Sequence, residues 1–182
     1  MNTHLSYCFL YDDLADLRCD FEIASDEIAS MIGFLRSLVT HDGLRAELTK
    51  LNELMYHINP SLRTHLAVSQ EELDWLVGKV QEMQETIRAR FDKAVSSQGK
   101  HEKKPRFVVP QGCTAASYSH IIRNKCKSLV RLLYRYKEQG NPVEDLLFEL
   151  INVYSGYFYT LALKLNQDHE VEEIEFTSRV YT

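Results

Sequence analysis

Apolar residues recur at helical spacing along most of this chain. Over residues 21–39 the stripe is Ile23, Ile28, Met31, Ile32, Leu35 and Leu38, the three- and four-residue rhythm of an amphipathic helix. A second helix is predicted over 44–58, stopping before Asn59-Pro60, since the position before a proline is driven out of the helical region. A third starts at Ser69, where Ser69 and Glu72 fit a capping box, and runs to Val95 with Leu73, Leu76, Val80, Met83 and Ile87 turned inward. The fourth covers 114–138 and ends at Gly140, a C-terminal stop. Asn141 then caps a fifth, with Pro142 at its first position and Glu144 and Asp145 in its first turn, an arrangement suited to the electropositive helix start. That helix continues to Asn166. The ends read differently. Leu5, Tyr7, Phe9 and Tyr11 alternate with other residues, as do Ile174, Phe176 and Val180, which predicts short strands. Because a lone strand leaves backbone groups unpaired, the two ends are expected to meet. The pattern therefore gives an all-α protein, one five-helix up-down bundle with short extended ends. It forms a single domain over 1–182, with an atypical N-terminus at 1–20 and a polar linker at 96–106.

Composition narrows the function more than the fold. A length of 182 residues and 45% hydrophobic content suit one domain with a full core. The formal net charge of −5 argues against a general nucleic-acid binder, which needs a basic surface. The basic run around Lys100 to Arg106 is broken by Glu102 and Pro105 and reads as solvated linker. No stretch approaches the roughly 20 apolar residues of a membrane span. Cys8, Cys19, Cys113 and Cys126 show no CxxC pair, and no apolar leader follows Met1, so free thiols in a reducing cytoplasm are expected. Seven histidines are scattered without metal-ligand spacing, so no metal site is expected.

The chemistry concentrates between Phe107 and Asn166. His120, Arg123, Lys127 and Arg131 are three and four residues apart, which places four potential cations on one face of the fourth helix. They follow a Pro-Gln-Gly turn and a helix start, a plausible anion site. Cys113 stands at that helix start, where a thiol pKa can fall, although a small buried residue is the plainer role. Tyr154, Tyr157, Phe158 and Tyr159 crowd the fifth helix. Core or subunit interface is the plainer role for them, and a ligand-facing wall is the alternative.

The run Phe107-Val-Val-Pro-Gln-Gly, followed by Ala116, His120 and Arg123, resembles the PduO-type ATP:corrinoid adenosyltransferases. That family has a Phe-x-x-Pro-Gly-Gly turn and then a helix carrying His, Ala-Arg and an Arg-Arg-Ala-Glu-Arg run. Asn152, Ser155 and Phe158 match its next helix, and Asp26-Glu27-Ile28 with Ile32-Gly33 resembles its first. The tail from Val171 to Tyr181 also resembles the end of some members. The resemblance implies a homotrimer with sites between subunits, taking cobalamin as the corrinoid and ATP with magnesium. In such enzymes a four-coordinate cobalt is reduced to Co(I), which attacks the 5′-carbon of ATP. It implies that Phe107 helps displace the lower axial cobalt ligand and that Asp26 and Arg123 form a bracing ion pair. These three are the expected catalytic residues. Lys127, Arg131, Asn152 and His120 are the expected nucleotide-binding residues.

The nucleotide side departs from the family pattern. Residues 1–19 contain no glycine, so the family's Gly-rich phosphate loop has no counterpart there. The arginine run is Lys127, Ser128, Leu129, Val130 and Arg131, and lysine binds phosphate as a point charge without the bidentate fork. Val153 and Gly156 stand where the family has Arg and Asp. Losing several preorganised charged contacts, each worth about two to three powers of ten in rate, leaves little chemistry. The expected function is a divergent adenosyltransferase-like protein that binds a corrinoid at a subunit interface, with weak or lost adenosyl transfer. The alternative is a non-catalytic corrinoid or nucleotide carrier or sensor, or a purely structural trimer.

Overall fold

In the computed structural model of the chain the described residues are 9–98 and 107–180, without the side chains of 93–98. Among them the regular structure is helical: α1 (Leu17–Leu38), α2 (Asp42–Ile58), α3 (Gln70–Gln98), α4 (Thr114–Glu138) and α5 (Asp145–Asp168). Helix α1 begins four residues before the expected start at 21 because Asp16 caps it, the carboxylate accepting from Arg18 N–H. The capping-box expectation for α3 holds on its return side, with Ser69 N–H donating to the Glu72 carboxylate at 3.0 Å. Helix α3 runs through 96–98, so the expected linker starts later, and 99–106 lie outside the described residues. Asn141 does not cap α5. Its side-chain amide donates to the Tyr136 carbonyl, closing α4, and α5 starts at Asp145 after Glu144.

Helices α1 and α2, α1 and α4, α4 and α5, and α3 and α5 pack on one another; the short connections at 39–41 and 139–144 make α1–α2 and α4–α5 antiparallel neighbours. The core runs through all five. Phe21, Ile28, Ile32 and Leu35 of α1 meet Leu48, Leu51 and Met55 of α2, Leu76 of α3, Leu129 and Leu133 of α4, and Tyr154, Tyr157 and Phe158 of α5. The buried tyrosines keep their hydroxyls satisfied. Tyr154 donates to the Leu51 carbonyl and Tyr157 to the Glu47 carboxylate. Helix α5 is long and apolar enough by length and composition to cross a bilayer, contrary to the expectation from the sequence. In the bundle its apolar side faces α3 and α4, and most of its large side chains are buried.

The expected pairing of the two ends falls largely outside the described residues. Leu5 and Tyr7 lie outside the described residues, and Tyr11 sits in a turn. The C-terminal segment pairs with the stretch just before α4. Val108 bridges Glu175 in antiparallel fashion, with Val109 N–H donating to Ile174 C=O and Phe176 N–H to Phe107 C=O, both at 2.9 Å. The N-terminal turn is held by a different device. Arg63, in the α2–α3 loop, forms ion pairs with Asp12 and with Glu22 of α1 and stacks at 4.0 Å on the Phe9 ring.

Candidate functional site

The site begins at the turn that opens α4. Gly112 has φ +124°, and a Cβ there would stand 1.9 Å from Asn166 Oδ1, so the position tolerates only glycine. Asn166, fully buried near the end of α5, holds this turn. Its Nδ2 donates to the Gln111 carbonyl and to Glu173 Oε1, and its Oδ1 accepts from Cys113 N–H, at 2.9, 2.9 and 3.0 Å. One amide thus ties α5, the α4 start and the C-terminal tail together. Cys113, the residue before α4, is half-buried.

Next to this turn the ribbon of 107–109 and 174–176 presents one apolar face. With Val108 opposite Glu175, Phe107 is opposite Phe176 and Val109 is opposite Ile174, and side chains two apart share a face. The Phe107 ring is 69% exposed, Phe176 54% and Ile174 52%.

The predicted cationic stripe is divided by burial. His120 is only 2% exposed, with neither ring nitrogen hydrogen-bonded. Burial, helped by the neighbouring Arg123 charge, lowers its pKa to about 4, so it is neutral at pH 7. It therefore supplies no charge to an anion, which removes it from the stripe that its spacing predicted. Arg123 is half-buried. Its guanidinium lies 5.5 Å from the Tyr159 ring centroid, its Nη2 donates weakly to Asn124 at 3.4 Å, and its Nε is buried without a hydrogen-bond partner. The His120 ring lies 6.1 Å from the same tyrosine ring. Lys127 and Arg131 are exposed and, among the described residues, paired with no carboxylate.

Asp26 and Arg123 do not meet within the chain. Asp26 is exposed on α1 and accepts from the Tyr56 hydroxyl of α2 at 3.0 Å, whereas Arg123 leans on α5. The ion pair that does join α1 to α4 is Glu27–Lys125 at 2.6 Å. Asn152 makes no hydrogen bond to the cations of α4. It lines an open groove of about 450 Å³ against Val77, Val80 and Gln81 of α3. A second concavity of about 450 Å³, lined by Leu38, His41, Lys79, Met83 and Leu165, contains none of the predicted residues. No cluster of metal-ligating side chains occurs among the described residues. The residues that the sequence did not single out are Asn166, Glu173 and Tyr159 in this role. Only the glycine after Gln111 and the alternation at Ile174 and Phe176 pointed towards them.

The chain is thus a five-helix bundle with an aromatic residue before a tight glycine turn and a cation-bearing helix after it. The cobalamin adenosyltransferase family matches residues 15–165, and the chain belongs to that family. Solved structures of the same fold include two variants of the PduO-type ATP:corrinoid adenosyltransferase from Lactobacillus reuteri, each complexed with cobalamin and ATP. The Phe-to-His variant is 19% identical, covering 90% of this chain and 85% of that one with a TM-score of 0.74. The Phe-to-Ala variant is 20% identical, covering 90% and 87% with a TM-score of 0.72. An Arg-to-Lys variant complexed with ATP is 20% identical, covers 89% and 88%, and also scores 0.72. None of the curated proteins is a significant sequence match.

Proposed function

We propose that the chain is a divergent corrinoid adenosyltransferase-like protein that binds a corrinoid between subunits of a homotrimer, with adenosyl transfer weakened or lost. The observation that carries this reading is the Phe107 ring, exposed on an apolar face immediately before α4. A flat macrocycle laid there meets an aromatic wall that excludes water from one of its faces. Asp26 faces α2 and Arg123 faces α5, so a bracing pair between them requires a second protomer. Phe107, Asp26 and Arg123 are the residues assigned to the corrinoid side.

The L. reuteri neighbours are complexed with ATP as well as cobalamin, and ATP with magnesium is the second ligand proposed here. Arg123 carries a donor without a partner, and Lys127 and Arg131 are exposed cations, a set that fits a polyphosphate. Asn152 would add a neutral donor and acceptor only if a partner subunit closes the groove it lines. His120, being neutral, is placed behind Arg123 rather than on the phosphates. A cytoplasmic setting belongs to the same proposal, with Cys113 and Cys126 as free thiols.

The non-catalytic carrier or sensor is favoured by the middle of the α4 run. Leu129 is fully buried and Val130 half-buried, so neither position offers charge to a nucleotide. Cob(II)alamin titrated with protein in the presence of ATP tests the binding reading through the absorption bands of a four-coordinate species. An unchanged spectrum at saturating protein refutes it. Arg123→Ala is expected to weaken corrinoid binding about 10- to 100-fold, as for loss of a charged hydrogen bond, and more than Lys127→Ala does. Single-turnover conversion of Co(I) corrinoid with ATP then separates a weak transferase from a carrier.

A further inference from the structure

We infer that Asn166 and Glu173 are positioning residues for the Phe107 ring, acting by clamping the C-terminal tail onto the segment that carries it; this rests on the corrinoid reading above. Phe107 lies on a stretch of three residues with no helix of its own. Its backbone is held from the tail side by the Phe176 N–H bond to its carbonyl and by the Val109 N–H bond to Ile174 C=O. Two such bonds do not fix a ribbon in water, since even a complete hairpin is marginal there. The side-chain direction of Phe107 therefore depends on whatever fastens the tail.

The fastening is local and visible. The chain turns back after α5 through Glu170, at φ 56°, with Val171 N–H returning to the Asn166 carbonyl at 2.8 Å. Two residues later the Glu173 carboxylate accepts from Asn166 Nδ2 at 2.9 Å. The same Nδ2 holds the Gln111 carbonyl, and Oδ1 holds Cys113 N–H. Both edges of the ribbon are thus gripped by one buried amide, one through the turn before α4 and one through Glu173. The other Glu173 oxygen is buried without a partner, and burial raises the carboxyl pKa. A carboxylate placed so unfavourably for its own solvation is a poor choice for general stability and a sensible one for a single directed hydrogen bond. Losing the bond frees residues 173–176, and with them the register that sets Phe107 opposite Phe176.

The test uses the full chain with Glu173→Ala and Glu173→Gln, the second retaining an oxygen that accepts from Asn166. Amide exchange of Val109 and Phe176 is read without ligand, and the four-coordinate cob(II)alamin signature is read with ATP. In Glu173→Ala both amides are expected to exchange about five- to tenfold faster, as for one lost hydrogen bond. The four-coordinate fraction falls at the same time, while ATP affinity by calorimetry stays within about twofold. Glu173→Gln restores both readouts towards wild type. Unchanged exchange in Glu173→Ala overturns the clamp. Faster exchange with an undiminished cobalamin signature overturns its role in setting Phe107. A wild type without any cobalamin signature overturns the corrinoid reading and with it that role, and the exchange data identify this as a failure of the ligand rather than of the clamp.

Discussion

Gly112→Ala tests the brace at the start of α4 most directly. The variant meets two costs. An L-residue held at φ +124° is strained by about 1–3 kcal/mol. The new methyl would also stand 1.9 Å from Asn166 Oδ1, so Asn166 must leave. Its bonds to Gln111, Cys113 and Glu173 are worth about 1 kcal/mol each, and more where a buried partner is stranded. The sum is about 4–6 kcal/mol. Two controls separate the contributions. Gly140 has φ +87° with open space around it, so Gly140→Ala carries only backbone strain, about 1–2 kcal/mol. Gly78, inside α3, also faces open space, and Gly78→Ala should stabilise by about 0.5–1 kcal/mol. Urea unfolding reads the order as shifts in midpoint at constant slope. A 3 kcal/mol loss corresponds to roughly 6–12 °C in Tm for a domain of this size. In the double variant with Asn166→Ala the collision is gone, so the two effects should be less than additive. If Gly112→Ala is no worse than Gly140→Ala, or if the double variant is fully additive, Asn166 does not brace the turn.

Acid should expose the buried His120. The unfolded chain takes up its proton near pH 6.5 and the native one only near 4, so this group's contribution is lost as pH falls through that window, up to about 3 kcal/mol. His120→Phe should flatten that loss in urea midpoints measured at pH 7 and 4.5; equal falls in both proteins contradict a buried neutral imidazole. Arg63→Ala leaves Asp12 and Glu22 facing each other without their shared counterion and is expected to destabilise by about 2–4 kcal/mol. Arg63→Lys should recover only part of this because the fork is gone, and limited proteolysis of the N-terminal turn should follow the same order. Lys127→Glu with Arg131→Glu should weaken ATP binding by calorimetry at least about tenfold and leave Tm nearly unchanged, since both side chains are exposed; unaltered ATP affinity removes them from the nucleotide site.

The helices were legible because their signals are local. The apolar stripes of α1 and α3, the capping box at Ser69 and the stop at Gly140 each act within a turn or two, and α4 has the predicted ends. The boundaries moved where two signals competed. Asn141 had two helix ends within reach and serves the earlier one. The candidate site was half legible. Spacing placed His120, Arg123, Lys127 and Arg131 on one face, but how deep each sits depends on α5 and the tail, and depth decides that one of the four is uncharged. The pairing of 107–109 with the C-terminal segment was not foreseen because alternation identifies a strand without naming its neighbour. Asn166 was signalled only indirectly, by the glycine after Gln111, since a buried amide at the end of an apolar helix is recognised by what it reaches 53 and 55 residues away.

The Arg63 junction has a bearing on how the chain is made. Asp12 and Glu22 precede their counterion by 51 and 41 residues, so on the ribosome both acids emerge long before the guanidinium that neutralises them. The opening turn must wait, undocked, until the second helix and the loop beyond it have left the exit tunnel. A nascent chain stalled before Arg63 would expose that turn to protease, and one stalled well after it would not.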